Sequence, residues 1–156
     1  MKIRKITLND FEDVNNLFMQ LHGMHARFRP DVYNVIEKPT NAKAWDFESS
    51  VSAADKIFIG AEIDGKIAGF CLVKISDCGN KAMAERKIAY IDEIAVDEGF
   101  RRKGIGKLLF ENAVKSAKIK GATTVELKVW SFNKEAIDFY KSLGMDVQSL
   151  NMEKHI

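Results

Sequence analysis

The segment KIFIGAEIDGKIAGFCLVKI, Lys56 to Ile75, consists of two β-rich runs on either side of Asp64-Gly65. An Asp-Gly pair supplies the positive φ that a two-residue hairpin turn requires, so the spacing predicts two antiparallel neighbours. That hairpin commits the chain to a sheet, and every other element must be placed around it. A third apolar run follows, RKIAYIDEIAV, Arg86 to Val96, long enough for a central strand. The stretch between them, Ser76 to Glu85, is polar and small and reads as a loop.

Upstream, KIRKIT reads as a short strand. Asn9 is then the expected N-cap, with Glu12 completing a capping box. Val14, Leu17, Phe18 and Leu21 recur with helical period, which predicts a helix from about Asp10 to Met24 with one face on a core. Pro30 and Pro39 bracket a stretch that leads to a short helix around Ala42 to Ala54. Downstream of Val96, Leu108, Leu109 and Ala113 continue an apolar face begun at Ile105, opposite a charged face of Lys107, Glu111 and Lys115. Gly121 ends that helix, and TTVELKVW alternates as a strand with one covered face would.

Asn133 then caps a helix whose inward side carries Ala136, Phe139, Tyr140 and Leu143, and Gly144 stops it. Met145 to Ile156 reads as a final strand at or near the sheet edge. The order β-α-(α)-β-β-β-α-β-α-β, with no internal repeat or linker, is that of one α/β domain with a mixed sheet.

Composition narrows the partners. With 46% hydrophobic and 29% charged residues the chain is an ordinary globular one, and a net charge of +2 implies neither nucleic acid nor membrane. No apolar run approaches the ~18 residues of a membrane span, and the start, MKIRKITLND, lacks a signal-peptide core. Two cysteines, Cys71 and Cys78, fit a reducing cytoplasm better than a disulfide framework. They read as a strand residue and a loop residue. Phe28, Tyr33, Trp45 and Phe47 are expected to pack the lobe before the hairpin.

The segment FRRKGIGKLLFENAV, Phe100 to Val114, concentrates chemistry. A helix N-terminus leaves backbone N–H groups unpaired and carries the positive end of the macrodipole, so it attracts anions. Gly104 and Gly106 would let a phosphate approach bare backbone, with Arg101, Arg102, Lys103 and Lys107 around it. The alternative is a turn whose glycines serve only the backbone and whose cations are solvated. A P-loop is excluded because Ile105 stands where its lysine belongs, and a dinucleotide fingerprint because Leu109 stands at the third glycine.

What remains, R-x-x-G-x-G as Arg101, Gly104 and Gly106 after the strand YIDEIAVDEGF, closely resembles the acyl-CoA pyrophosphate loop of the GNAT superfamily of N-acetyltransferases. The segment VELKVWSFNKEAIDFYKSLGM resembles that superfamily's second motif, with Asn133, Ala136, Phe139 and Tyr140 followed by Leu-Gly. Together with the hairpin, the likeness covers about residues 56–146. It departs at Glu98, where many members have proline, and at Met145, where phenylalanine is usual.

The resemblance implies a mixed, mostly antiparallel central sheet of six to seven strands flanked by helices, splayed between the two central parallel strands. It implies one domain over 1–156, divided into an acceptor-side lobe, 1–55, and an acetyl-CoA-binding core, 56–146. The expected activity is transfer of an acetyl group from acetyl-CoA to a primary amine by direct attack in a ternary complex, with no metal and no nucleic acid. The acceptor is either a small amine or a protein amine. The competing reading is a non-catalytic acyl-CoA-binding or sensing module of the same fold.

By the same resemblance, pantetheine pairs with the strand edge at Ile94, Ala95 and Val96. The pyrophosphate takes the N–H groups from Arg101 through Arg102, Lys103, Gly104, Ile105 and Gly106 to Lys107. Asn133, Ala136 and Tyr140 complete the cofactor contacts. Tyr140 is the candidate general acid, because a phenol of pKa near ~10 is protonated at neutral pH; its alternative is a core aromatic. Glu93 is the candidate base, or a carboxylate that only binds a cationic acceptor. His22 and His25 lack the partners of a metal site and read as surface or substrate-lining residues. A homodimer through an edge strand near Leu150 is a further expectation.

Overall fold

The computed structural model describes residues 1–156. Strands β1 (Lys2–Lys5), β2 (Lys56–Ile63), β3 (Lys66–Asn80), β4 (Met83–Val96) and β5 (Thr124–Leu127) form one sheet in the order β1-β2-β3-β4-β5. All neighbours are antiparallel except β4 and β5, which are parallel. Helices α1 (Phe11–Phe28) and α2 (Phe47–Ser52) precede the hairpin, α3 (Ile105–Ile119) joins β4 to β5, and α4 (Lys134–Ser142) follows β5.

Alternation along β2 and β3 feeds two separate cores, one on each face of the sheet. Ile57, Ile59, Ala61, Cys71 and Val73 join Ile105, Leu109, Ala113 and Ala117 of α3. Phe58, Phe70 and Leu72 join Val14 and Leu17 of α1 and Phe47 of α2. The turn between β2 and β3 is the one its residues demand: Asp64 has φ 49° and Gly65 φ 79°, with Ile63 opposite Lys66. On the α3 face, Gly69 sets the packing distance, since a Cβ there would lie 2.9 Å from the Ala95 carbonyl oxygen and 3.2 Å from Leu109.

Four sequence expectations are corrected. Ser76 to Glu85 is not a loop but a continuation of the β3-β4 ladder, pairing Ser76 with Ile88 through Asn80 with Met83, so Cys78 is also a strand residue. Its polar residues are held by cross-strand partners, such as Lys87 3.5 Å from Asp77, that no local propensity reveals. The strand expected over TTVELKVW stops at Leu127. The final strand at Met145–Ile156 is absent, leaving five strands instead of six to seven. Beyond the Met145 N–H, which donates to the Tyr140 carbonyl at 3.1 Å, that tail meets the body through side chains, such as Gln148 to Glu126 and Arg29 to Glu153, and Leu150 is exposed on it.

The fourth correction concerns the start of the first helix. A 3-10 turn over Leu8–Asp10 leads into α1, and its capping box pairs Thr7 with Asp10, Thr7 standing in the N-cap role expected of Asn9 and Asp10 in the role expected of Glu12. The Asp10 carboxylate accepts from the Thr7 N–H at 2.7 Å and from Arg4 at 2.8 Å through each oxygen. An ion pair with β1 therefore reinforces Asp10 in that box. Glu12 instead faces Lys38.

The feature that positions the site is where β4 and β5 part. Their pairing runs from Ile88 with Thr124 to Ile91 with Leu127 and stops, while β4 continues to Val96. At the same point β4 bulges: Val73 opposes Ile91 and Leu72 opposes Glu93, so Asp92 has no partner. Bulges re-aim side chains and end pairing, and this one leaves the β5 side of residues 92–96 unpaired within the sheet. The splay expected between the two parallel strands is thus present, with a bulge at its apex.

Candidate active site

A cavity of about 800 Å³ opens over the free end of β4. It is lined by Ile94, Ala95 and Val96 of β4, by the β4-α3 loop and first turn of α3, and by Asn133, Ala136, Phe139 and Tyr140 of the α4 region. Helix α1 closes it with Leu17, Gln20, Leu21 and Met24.

The β4-α3 loop is shaped for an anion by its backbone. Arg102 has φ 62° and Gly104 φ 79°, and Gly104 caps α3. From Arg101 to Lys107 no backbone N–H donates to any acceptor in the chain; the first helical bond runs from the Leu108 N–H to the Gly104 carbonyl. No acidic residue stands in the first turn of α3. A run of free donors at the positive end of a helix dipole matches a diphosphate.

Both glycines line the cavity, and they do different work. A Cβ at Gly104 would meet nothing within 4 Å, so that position is open. A Cβ at Gly106 would lie 3.3 Å from the Phe139 ring, so its smallness seats α4 against α3.

The cations are less free than their sequence suggests. Arg101 Nε donates to the Val96 carbonyl at 3.2 Å, Arg102 pairs with Glu135 at 2.9 Å, and Lys103 Nζ donates to the Gly99 carbonyl at 3.1 Å. Lys103 is also stacked over the Phe100 ring and does not line the cavity. Lys107 lies 3.8 Å from Glu111.

Asn133 caps α4 by accepting the Ala136 N–H at 3.1 Å, as its sequence position predicts. That cap puts the first turn of α4 against the cavity, and Tyr140 further along the helix also lines it. Burial pushes the Tyr140 phenol well above its ordinary pKa, with the nearby Cys71 sulfur adding to it, so the hydroxyl keeps its proton at neutral pH. Cys71 itself is wholly buried and its thiol is pushed up to about 12.

Glu93 follows the bulge and does not line the cavity wall. Its Oε2 is buried with no hydrogen-bond partner. Burial, and secondarily the charge of Asp92, raises its carboxyl to about 7. An unpartnered buried carboxyl poised near neutrality is uncommon, and such groups cluster at sites of chemistry.

No group of three or more His, Cys, Asp or Glu side chains has a metal-binding arrangement, and the structure places His22 and His25 among aromatic rings. They belong to an aromatic cluster: His25 stacks on Tyr33 at 5.1 Å, and Tyr33 accepts from the Trp130 indole N–H at 2.9 Å. Of the aromatics assigned to the first lobe, Phe47 is fully buried and Trp45 stacks on Phe18 at 4.6 Å, while Phe28 is half exposed against Phe132. Sequence reasoning misses the α1 wall of the cavity. Helical periodicity assigns Leu17 and Leu21 wholly to the core, and only Met24 at the next helical repeat hints that the stripe outlasts it.

A parallel pair that parts at a bulge, with a donor-rich loop beyond it, is the arrangement that the sequence resemblance implies. The chain belongs to the GNAT acetyltransferase family: the Acetyltransferase (GNAT) family model matches residues 18–145. It is 32% identical over 144 residues to an uncharacterized N-acetyltransferase, MJ1207, of Methanocaldococcus jannaschii, covering 92% of this chain and 60% of that protein. It is 28% identical over 119 residues to the [ribosomal protein bS18]-alanine N-acetyltransferase of Escherichia coli K12, covering 75% and 74%. The crystal structure of a single-site mutant of the BH1408 protein from Bacillus halodurans superposes with a TM-score of 0.95 at 32% identity, over 100% of this chain and 99% of that one. The chain spans 60% and 65% of the lengths of the first two curated relatives it matches. No helix is long and apolar enough to cross a membrane.

Proposed function

We propose that this protein transfers the acetyl group of acetyl-CoA to a primary amine, with residues 1–55 forming the acceptor side and residues 56–146 the donor side. The observation that carries the reading is the run of free N–H groups from Arg101 to Lys107, which opens on the same cavity as Tyr140 and the unpaired end of β4. A long donor with a diphosphate at one end and a thioester at the other fits that span. The free thiols of Cys71 and Cys78 suit a reducing cytoplasm, where such a donor is made and used.

In this reading the loop N–H groups bind the pyrophosphate, and the Ile94 to Val96 backbone pairs with pantetheine as an added strand would. An N–H near Ile94 faces the thioester oxygen and stabilises the charge that develops there. Glu93, directly or through a water, takes a proton from the acceptor's ammonium. The freed amine attacks the carbonyl carbon, a C–N bond forms, and the C–S bond breaks. Tyr140 gives its proton to the departing sulfur and is reprotonated by the second proton that the nitrogen sheds as the amide forms, and the Glu93 proton returns to solvent. The acceptor is a small amine or a protein amine; the bS18 enzyme is a relative of the second kind.

The test is a panel of amines, small cations and peptides with free N-termini or lysines, incubated with acetyl-CoA and read as released thiol. At least one class turns over, and Tyr140→Phe lowers kcat by ~10²-fold or more on it while CoA still binds. Tight CoA binding with no turnover on any class would instead identify a sensing module.

A further inference from the structure

The β4-α3 loop is gripped from the acceptor side by one side chain, Gln20 of α1. Gln20 Nε2 donates to Asp97 Oδ2 at 2.9 Å, and Gln20 Oε1 accepts the Glu98 N–H at 3.2 Å. Asp97 is a junction: its N–H donates to the Ala68 carbonyl at 2.9 Å, and its other carboxylate oxygen accepts the Gly99 N–H at 2.9 Å. One residue thus ties the loop to β3, to its own next turn and, through Gln20, to α1.

The contact is specific in polarity. An ionised carboxylate only accepts and a backbone N–H only donates, so the amide is satisfied in one orientation, and of the common side chains a glutamine supplies both halves. A leucine would leave Asp97 and the Glu98 N–H unpaired on this side. A glutamate would keep the N–H and set two carboxylates against each other. Glu98 stands three residues before Arg101, where the run of free donors begins. The orientation of that run is therefore referred to a helix outside the loop, 77 residues away in sequence.

We propose that Gln20 is a positioning residue for donor binding: it holds the start of the β4-α3 loop from α1, so that the free N–H groups keep the spacing a diphosphate requires. The proposal rests on the reading that Arg101 to Lys107 bind the pyrophosphate of CoA. Through the same contact, the helix that walls the acceptor side of the cavity is in mechanical register with the donor's phosphates.

The experiment measures Kd for CoA by calorimetry and for pantetheine, which lacks the pyrophosphate, by NMR titration, so no acceptor is needed. Gln20→Leu lowers the preference for CoA over pantetheine about tenfold, the scale of one hydrogen bond to a charged group. Gln20→Glu lowers it at least as much. The paired swap Gln20→Glu with Asp97→Asn reverses the polarity of the contact, because the new amide donates to the new carboxylate and its oxygen still accepts from Gly99. It restores the preference to within about threefold of wild type.

An unchanged CoA preference in Gln20→Leu overturns the proposal, as does equal weakening of both ligands, which marks general damage to the cavity. Failure of the swap to recover what Gln20→Glu lost overturns it too. Gly104→Val separates the parent reading: if that variant also binds CoA as wild type does, the pyrophosphate assignment itself is wrong, and the role of Gln20 falls with it.

Discussion

The two edges of the sheet are built to opposite rules. At the β1 edge, polar groups taken out of water are fully engaged: Arg4 binds both oxygens of Asp10 and also Glu62, Thr7 donates to Asp10, and the fully buried Asn15 bridges Pro39 and Trp45. At the β5 edge, the sheet opens at Asp92, Glu93 keeps a buried oxygen without a partner, and the loop from Arg101 to Lys107 offers N–H groups that nothing in the chain accepts. Unsatisfied polar groups cost free energy, so a chain that satisfies them at one edge and leaves them at the other marks where a ligand completes the structure. On the proposed reading, the engaged edge is architecture and the unengaged edge binds the donor.

Glu93→Gln should break that contrast most. Without an ionisable group there, kcat on the acceptor falls by ~10²-fold and the acid limb near pH 7 disappears from the pH–rate profile. The same change has a stability signature of definite sign. The folded protein holds the Glu93 proton up to about 7, above the unfolded value of 4.5, so stability is lost as pH rises from the lower value through the higher. Glu93→Gln should raise Tm at pH 8 by an amount worth on the order of 1–2 kcal/mol and leave it unchanged at pH 4; a lower Tm at pH 8 would contradict the unpartnered oxygen.

At the other edge, Arg4→Ala strands a buried carboxylate. Asp10, now held down at about 2, would lose the partner that keeps it ionised. Urea denaturation should show a loss of ~2 kcal/mol at pH 7 that shrinks as pH falls through 3.8 toward 2, with CoA affinity intact. A loss of CoA affinity comparable to the loss of stability would mean that the two edges are not separable.

The smallest effect sharpens the distinction inside the loop. Gly104→Val strains a backbone with φ 79° at the open position and should weaken CoA about tenfold. Gly106→Ala, pressed on Phe139 but away from positive φ, should act first on stability, read as a lower Tm with CoA affinity little changed.

Legibility follows the range of the interactions. The Asp64-Gly65 hairpin, the Asn133 cap, and the stops at Gly121 and Gly144 rest on contacts a few residues apart, and each lies where local spacing predicts it. The Thr7–Asp10 box before α1 is a local T-x-x-D spacing that competes with the Asn9–Glu12 one, and the Arg4 bridge from β1 that reinforces it is not local. The loop expected at Ser76–Glu85 is a ladder because its polar residues are paired across strands, Ser76 with Ile88 and Asp77 with Lys87, and such pairing leaves no mark in local composition. At the site, the motif residues are readable and the arrangement is not. Nothing in RRKGIG says that its cations turn to Glu135, Val96 and Gly99 while its backbone is left free.

By itself, the sequence determined the hairpin, the helix faces and the glycine-rich helix start, because these are written in local periodicity and short spacing, while the family came from the resemblance of two motifs to a known superfamily. Only the tertiary structure decided that β4 parts from β5 at a bulge on Asp92, that Gly106 seats Phe139, and that Gln20 reaches the loop from another helix. Those features join residues far apart in the chain, and burial, unpaired donors and shifted proton affinities exist only once the chain has closed around them.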